Sequence, residues 1–376
     1  MRYTLNSAEL LDQLQILDKV VPTKNVTPIE LCVLFDIKDD TLYLRSTDRE
    51  ITLTSSMPIA DSSGDCRFAI ESKRMIEILR TMPEQPVTLD VDTVSLQINI
   101  DFQNGHLVIQ GESADDFPAL KNIEGEISSF PVNSKALSRA LGNAMAATAT
   151  EKARLVMQGV FFDITPDEFA VVASDGRKLS RTLIKSESQN NLTTSFVILP
   201  KPINIICSMI DKTDGVINVS SNTEGNASFS IGTFTMYCRL LSDPYPNYRK
   251  VIPQNNDNTA IIDRLSILSA LKRAIAIADK ATCLVKLQFG NDKITLSAEN
   301  NNYAQSAEEQ IVCQYDGVNL KVGFQGDFLY ELINRINSNE VVIKLSDPSR
   351  AVLILPSEQE ENTELLMLLM PLLITN

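Results

Sequence analysis

The chain has 376 residues, 44% hydrophobic and 22% charged, with six Cys, one His and a formal net charge of −14, a length suited to two to four domains of roughly 100–200 residues each. The lone histidine, His106, disfavours Ser/His/Asp and Cys/His catalysis, and the absence of any C-x-x-C pair disfavours a zinc site or a disulfide framework. The acidic balance, taken alone, argues against a nucleic-acid binder, which needs a basic footprint.

In chain order, Leu10, Leu14, Leu17 and Val21 step at helical spacing and predict an amphipathic first helix. Thr41–Arg45 and Ile51–Thr54 alternate as strands around a Ser46-Thr47-Asp48-Arg49 turn. Phe68–Leu79 reads as a short strand entering a second amphipathic helix, with Ser72 suited to its start. Val94, Leu96, Ile98, Ile100 and Phe102 alternate as one half-buried strand, and His106 beside Gly105 reads as a hairpin turn. Asp116-Phe117-Pro118 ends this stretch. The same order then returns: a helix over Leu137–Ala144, a turn at Ala173-Ser174-Asp175-Gly176-Arg177, a strand and helix over Phe196–Cys207 with Pro200 at the helix start, and Tyr245-Pro246-Asn247-Tyr248-Arg249. It returns again as a helix over Leu268–Ile275, a turn at Ser297-Ala298-Glu299-Asn300, and a strand and helix over Val322–Ile333.

Four features in one order at a period of about 125–130 residues predict an α+β unit copied three times, each an antiparallel sheet covered on one face by two helices. The expected boundaries are 1–126, 127–253 and 254–376, the last after the polar run Gln254–Asn258. The N-terminal residues lack the layout of a signal peptide, and Leu365–Ile374 is too short for a bilayer and contains Pro371, which predicts a soluble, cytoplasmic chain. Asp48 with Glu50, or Asp115 with Asp116, could serve as paired catalytic carboxylates. No metal-ligand cluster, phosphate-cradling glycine loop or nucleophile motif accompanies either pair, so the expectation is a scaffold with no catalytic site, metal or cofactor. An acidic protein-interaction module with no DNA role stays open on these residues.

The ordered set, with Thr-Asp and Ser-Asp-Gly-Arg turns, Asp-Phe-Pro, Tyr-Pro-Asn-Tyr-Arg-Lys-Val-Ile-Pro and the terminal Met370-Pro371, resembles the bacterial replicative sliding clamps, the β subunit of DNA polymerase III, along nearly the whole chain. The resemblance implies three tandem DNA-clamp units and a ring-shaped head-to-tail homodimer around double-stranded DNA, with sheets outside and helices lining the hole. On that reading the negative charge poses no obstacle: the six helical segments are slightly positive and the strands and loops hold the whole negative excess. A sliding contact needs few phosphate partners and no base readout. The resemblance implies DNA contacts at Lys24, Lys73 and Lys201, with Arg74, Lys135, Arg139 and Arg154 as secondary choices. It implies a dimer interface of His106, Leu107 and Ile109 against Ile277, Glu308 and Glu309. The replicative polymerase, the clamp loader and other replication or repair proteins are expected to dock through short hydrophobic peptides. Their groove is expected to comprise Met157, Ser174, Gly176, Arg177, Leu179, Pro246 and Val251, with Phe328, Leu368, Met370, Pro371 and Leu372 from the last unit. Departures from the family pattern are Arg177, a larger cation than expected there, Glu151, Leu155 and Val156 near the expected DNA path, and a tail that runs on to Asn376.

Overall fold

The computed structural model describes residues 1–23, 27–120, 127–151, 154–185 and 193–374. Its elements repeat three times in one order. The first set is β1 (Arg2–Asn6), α1 (Ser7–Leu17), β2 (Cys32–Lys38), β3 (Thr41–Thr47), β4 (Ile51–Pro58), β5 (Asp61–Ser62), β6 (Cys66–Glu71), α2 (Ser72–Arg80), β7 (Pro86–Val91), β8 (Gln97–Phe102) and β9 (Gly105–Gln110). The second is β10 (Ile127–Asn133), α3 (Ser134–Met145), β11 (Val160–Ile164), β12 (Phe169–Ser174), β13 (Lys178–Ile184), β14 (Thr194–Ile198), α4 (Pro200–Lys212), β15 (Val216–Asn222), β16 (Asn226–Ile231) and β17 (Phe234–Arg239). The third is β18 (Asn258–Asp263), α5 (Arg264–Ile277), β19 (Leu284–Gly290), β20 (Lys293–Asn300), β21 (Gln305–Asp316), β22 (Leu320–Gln325), α6 (Gly326–Arg335), β23 (Glu340–Leu345), β24 (Val352–Pro356) and β25 (Thr363–Leu369).

By contacts the chain forms two compact units, one of Met1–Lys135 with Lys201–Leu240 and the other of Ala136–Pro200 with Leu241–Asn376. The first holds a five-stranded sheet, β5-β1-β7-β8-β9, and an eight-stranded sheet, β10-β15-β16-β17-β4-β3-β2-β6. The second holds one twelve-stranded sheet, β14-β11-β12-β13-β25-β24-β23-β18-β21-β20-β19-β22. All the strand pairs in which register is defined are antiparallel, and their alternating burial puts one face on a core, as in β7, where Val87, Leu89 and Val91 are buried. The amphipathic helices supply the other layer. In α2 the buried positions Ser72, Met75, Ile76 and Leu79 make one stripe, and in α5 Ile267, Leu268, Ala270, Leu271 and Ala274 do the same.

Two joints between repeats are made by strands of one chain. β17 of the second copy pairs with β4 of the first, Met236 opposite Leu53. β25 of the third pairs with β13 of the second, Leu179 opposite Leu368.

Three local expectations change. Val94 and Leu96 are not part of a strand: Val94 is 93% exposed, Leu96 takes a left-handed φ of 58°, and pairing begins only at Gln97. The Asp92 carboxylate explains this, since it accepts from Val94 and Ser95 N–H and so builds a turn. Ser297–Asn300 is not a turn in the third copy. β20 runs through it, with Ala298 and Asn300 buried, and reverses only at Asn301–Ala304, because Ala298 and Asn300 keep the inward alternation set by Ile294 and Leu296. Ser72 starts α2 but does not cap it, as its hydroxyl donates to Asp18 Oδ1 at 2.7 Å.

Candidate functional site

The expected peptide-groove residues lie in the second compact unit and are assembled by the β13–β25 joint. Leu179 and Leu368 face each other across it and bury with Ala170, Val172, Tyr248 and Leu366. Met157 belongs to a neighbouring apolar cluster with Val156 and Val197, and both clusters share Phe161 and Tyr245, whose rings stack at 4.7 Å. Burial among these groups pushes the Tyr245 phenol up to about 12.

The turn between β12 and β13 is fixed by its own polar groups. Ser174 Oγ donates to Lys178 O at 2.9 Å and accepts from Gly176 N–H, while Asp175 Oδ1 accepts from the N–H groups of Arg177 and Lys178. Gly176 sits at φ +90°, and a Cβ there would stand 3.8 Å from Met157 Cε. The tail crosses this turn: Met370 N–H donates to Arg177 O, and two residues on, Leu372 N–H donates to Gly323 O, both at 2.8 Å. Phe328 belongs to neither apolar cluster: it packs against the core of the last repeat, with Lys178 Nζ 4.5 Å from its ring centroid while that lysine pairs with Glu331 at 2.5 Å. Sequence reasoning missed Lys178; a lysine at a buried position of the strand after the turn was the available signal. Pro246 and Val251 are exposed and belong to neither apolar cluster; Pro246 follows Tyr245 and Val251 ends a short 3-10 turn. Pro371 is half-buried between the two tail hydrogen bonds.

One repeat earlier the same positions are closed. Glu30 stands where the second copy has Met157, and Arg49, at φ +75°, stands where it has Gly176; Arg49 Nε meets Glu30 Oε1 at 2.6 Å. The Thr27 N–H and Arg49 hold the Glu30 carboxyl below its ordinary range. An ion pair thus occupies the first copy where the second has the apolar Met157 side chain beside Gly176.

The expected DNA-facing cations divide by their partners. Lys73 is exposed and carries no ion pair among the described residues. Lys201 is engaged: its ammonium donates to Val20 O at 2.9 Å and to Asp48 Oδ2 at 2.6 Å. That contact also employs one of the carboxylates considered for catalysis, as Asp48 Oδ1 accepts from Glu50 and Ile51 N–H. Arg74 pairs with Glu71, Lys135 with Asp214 and Arg139 with Glu360. Arg154 goes to the groove, its Nη1 lying 3.9 Å from Met157 Sδ. Lys24 lies outside the described residues. Helical periodicity would have found Lys272, exposed on α5 with Nζ 5.5 Å over the Tyr330 ring of α6.

The expected interface residues sit on two strand edges. β9 ends the five-stranded sheet with no strand on its outer side among the described residues; His106 and Leu107 (38% exposed) are accessible, whereas Ile109 is buried. That burial favours core packing for Ile109. β21 pairs with β18 only from Cys313 onward, which leaves one edge of Gln305–Val312 unpaired among the described residues. Beside it lies an open cleft of about 720 Å³ lined by Leu265, Arg273, Glu309 and Val312, the last 83% exposed. Glu308 is exposed, Ile277 half-buried, and Glu309 receives a two-pronged Arg273 at 2.9 and 2.5 Å, which lowers its pKa.

Comparison with known proteins gives the same frame. The chain matches the DNA polymerase III beta subunit N-terminal domain over residues 1–121, the central domain over 131–247 and the C-terminal domain over 249–371. It is 22% identical over 367 residues to the beta sliding clamp of Pseudomonas aeruginosa, covering 98% of this chain and 99% of that one. It is 24% identical to that of Haemophilus influenzae, covering 94% and 95%. Among solved structures, the P. aeruginosa clamp bound to griselimycin aligns with a TM-score of 0.93 at 21% identity, and the Bartonella birtlesii clamp bound to griselimycin with 0.90 at 25%, each covering 100% of both chains. The chain belongs to the DNA polymerase III beta subunit family, the sliding clamps.

Proposed function

We propose that this sliding clamp acts as a closed head-to-tail homodimer that encircles duplex DNA without reading its sequence, holds the replicative polymerase on its template, and docks the clamp loader and other replication or repair proteins at the Met157–Gly176–Leu368 groove. Its units are 1–126, 127–253 and 254–376, it has no catalytic site, and it works in the cytoplasm. One observation carries the closure. Each repeat has one strand in the position of β9, β17 and β25 and one in the position of β4, β13 and β21. Two of the possible joints, β17 with β4 and β25 with β13, are made within the chain. The third pair, β9 and β21, has both edges open among the described residues, and open edges pair with matching strands. A second copy supplies the missing match at each end, and a heterologous contact that closes makes a ring.

The equivalence also sets the facing: Leu107 of β9 comes opposite Ala307 or Glu309 of the partner's β21, which puts inward-facing positions together as in the two internal joints. Lys73 and Lys272 serve as phosphate contacts, joined by Lys24 at its expected place, and Lys201 serves as a structural latch. The test uses nicked circular DNA loaded with the protein. Retention on the circle, and loss once it is linearised, is expected; equal retention on both forms overturns encirclement.

A further inference from the structure

The segment that carries Tyr245, Pro246 and Val251 ends in a short 3-10 turn, Tyr248–Val251, and Asn247 before it supplies no side-chain cap. The turn is fastened from below instead. The Tyr248 hydroxyl donates to Asp163 Oδ2 at 2.8 Å, Arg249 Nη2 donates to the same oxygen at 2.7 Å, and Arg249 Nη1 donates to Glu168 Oε2 at 2.9 Å. The Arg249 guanidinium also lies over the Tyr248 ring, 5.4 Å from its centroid. Asp163 shares a face of β11 with Phe161, two residues back. Phe161 takes both rings of the same segment, Tyr245 stacked at 4.7 Å and Tyr248 edge-on at 6.3 Å. Tyr248 is buried, and burial followed by the Asp163 carboxylate pushes its phenol up, so the hydroxyl stays a donor.

The other repeats use this place differently. Strand register puts Asp36 of the first copy where the second has Asp163, opposite Arg67 instead of Ser195. Asp36 Oδ2 turns to that Arg67 at 3.4 Å, within its own sheet, and its Oδ1 has no hydrogen-bond partner. In the third copy the place is Gln288, opposite Lys321. Only the second copy spends a carboxylate here on the segment that leads to the next repeat.

We infer that Asp163 is a positioning residue for partner docking: it touches no peptide, and it holds Tyr248 and Arg249 so that Tyr245 and Val251 form a fixed wall before a peptide arrives. This rests on the groove reading above. A charged acceptor shared by two donors is a strong tie, and a wall already ordered spares the peptide the cost of ordering it. Without the carboxylate, the Tyr248 hydroxyl loses its acceptor and the turn is held by ring packing and Glu168 alone.

The test measures binding of a labelled hexapeptide with Leu and Phe as apolar anchors to the full-length protein by fluorescence anisotropy, well below the melting temperature of every variant. Asp163→Ala is expected to weaken binding about tenfold, the order of a lost buried hydrogen bond to a charge. Asp163→Asn, which keeps an acceptor for Tyr248, stays within about two- to threefold of the unaltered protein. Tyr248→Phe weakens binding by itself and adds little to Asp163→Ala, because both undo one tie. Val171→Ala, buried on the opposite face of β12, lowers the melting temperature and leaves binding unchanged. Unchanged binding in Asp163→Ala, fully additive losses with Tyr248→Phe, or an equal loss in Val171→Ala overturns the inference and leaves the groove standing. If Asp163→Ala does not fold, unchanged binding in both Asp163→Asn and Tyr248→Phe overturns it. Failure of the peptide to bind the unaltered protein, or binding that Met157→Lys does not weaken, removes the groove reading and the inference with it.

Discussion

Gly176 and Glu30 show how single residues decide whether one position of the repeat is apolar or holds an ion pair. At φ +90°, any residue with a Cβ is strained by about 1–2 kcal/mol. Gly176→Val is therefore expected to lower the urea midpoint and, by crowding Met157, to weaken peptide binding. Glu30 has the opposite role, filling the equivalent place one repeat earlier. Its carboxyl is held below its ordinary pKa by Thr27 N–H and Arg49, so the folded state binds that proton less readily than the unfolded chain. The stability this contributes is present above the ordinary glutamate pKa and is lost as pH falls through the lowered folded value. Urea titrations of the native protein and of Glu30→Gln, run from neutral pH into this acid range, check it: the variant is expected to be less stable at neutral pH, with the difference shrinking on acidification. Lys201 belongs to the same scale. Lys73→Glu is expected to reduce retention on circular DNA without changing thermal stability, whereas Lys201→Glu lowers the melting temperature, because it leaves Val20 O and Asp48 facing a carboxylate.

At the scale of elements, β9, of six residues, and β21, of twelve, have exposed edges among the described residues, which soluble proteins usually cover, shorten or charge. Leu107 is accessible on one of them and Val312 on the other. A charge at Leu107 disturbs little within the chain but places an unpaired carboxylate in the proposed joint. Leu107→Asp is expected to convert a particle of twice 41.6 kDa to one of 41.6 kDa by light scattering, with the circular dichroism spectrum preserved. A dimer that persists unchanged argues that the joint lies elsewhere.

On the scale of the whole molecule, topology explains how an acidic protein could serve DNA. Binding that depends on enclosure needs only a few cations, so its dependence on salt is shallow on circular DNA. A protein held by phosphate contacts alone loses affinity steeply as counterions compete. Sedimentation of the protein with nicked circles across a range of salt is expected to show retention at concentrations that strip it from linear fragments.

The sequence by itself determined the three-fold order, the helix and strand types and the turn at Asp175–Gly176, because these follow from local periodicity and from backbone preferences of a few residues. It also placed Leu179, Leu368 and Met370 in one candidate site through family likeness. What it could not show was which cations are free. Lys201 and Arg139 read as exposed helix charges, yet each meets a carboxylate more than 150 positions away in the chain, and Arg154 turns to Met157. The end of the β20 strand was equally hidden, since Ser297–Asn300 has turn-forming residues and is held straight by pairing with β21. Local pattern fixes what an element is. Which side chains are engaged, and which strand edges stay open, depends on contacts between distant segments, and only the tertiary structure brings those together.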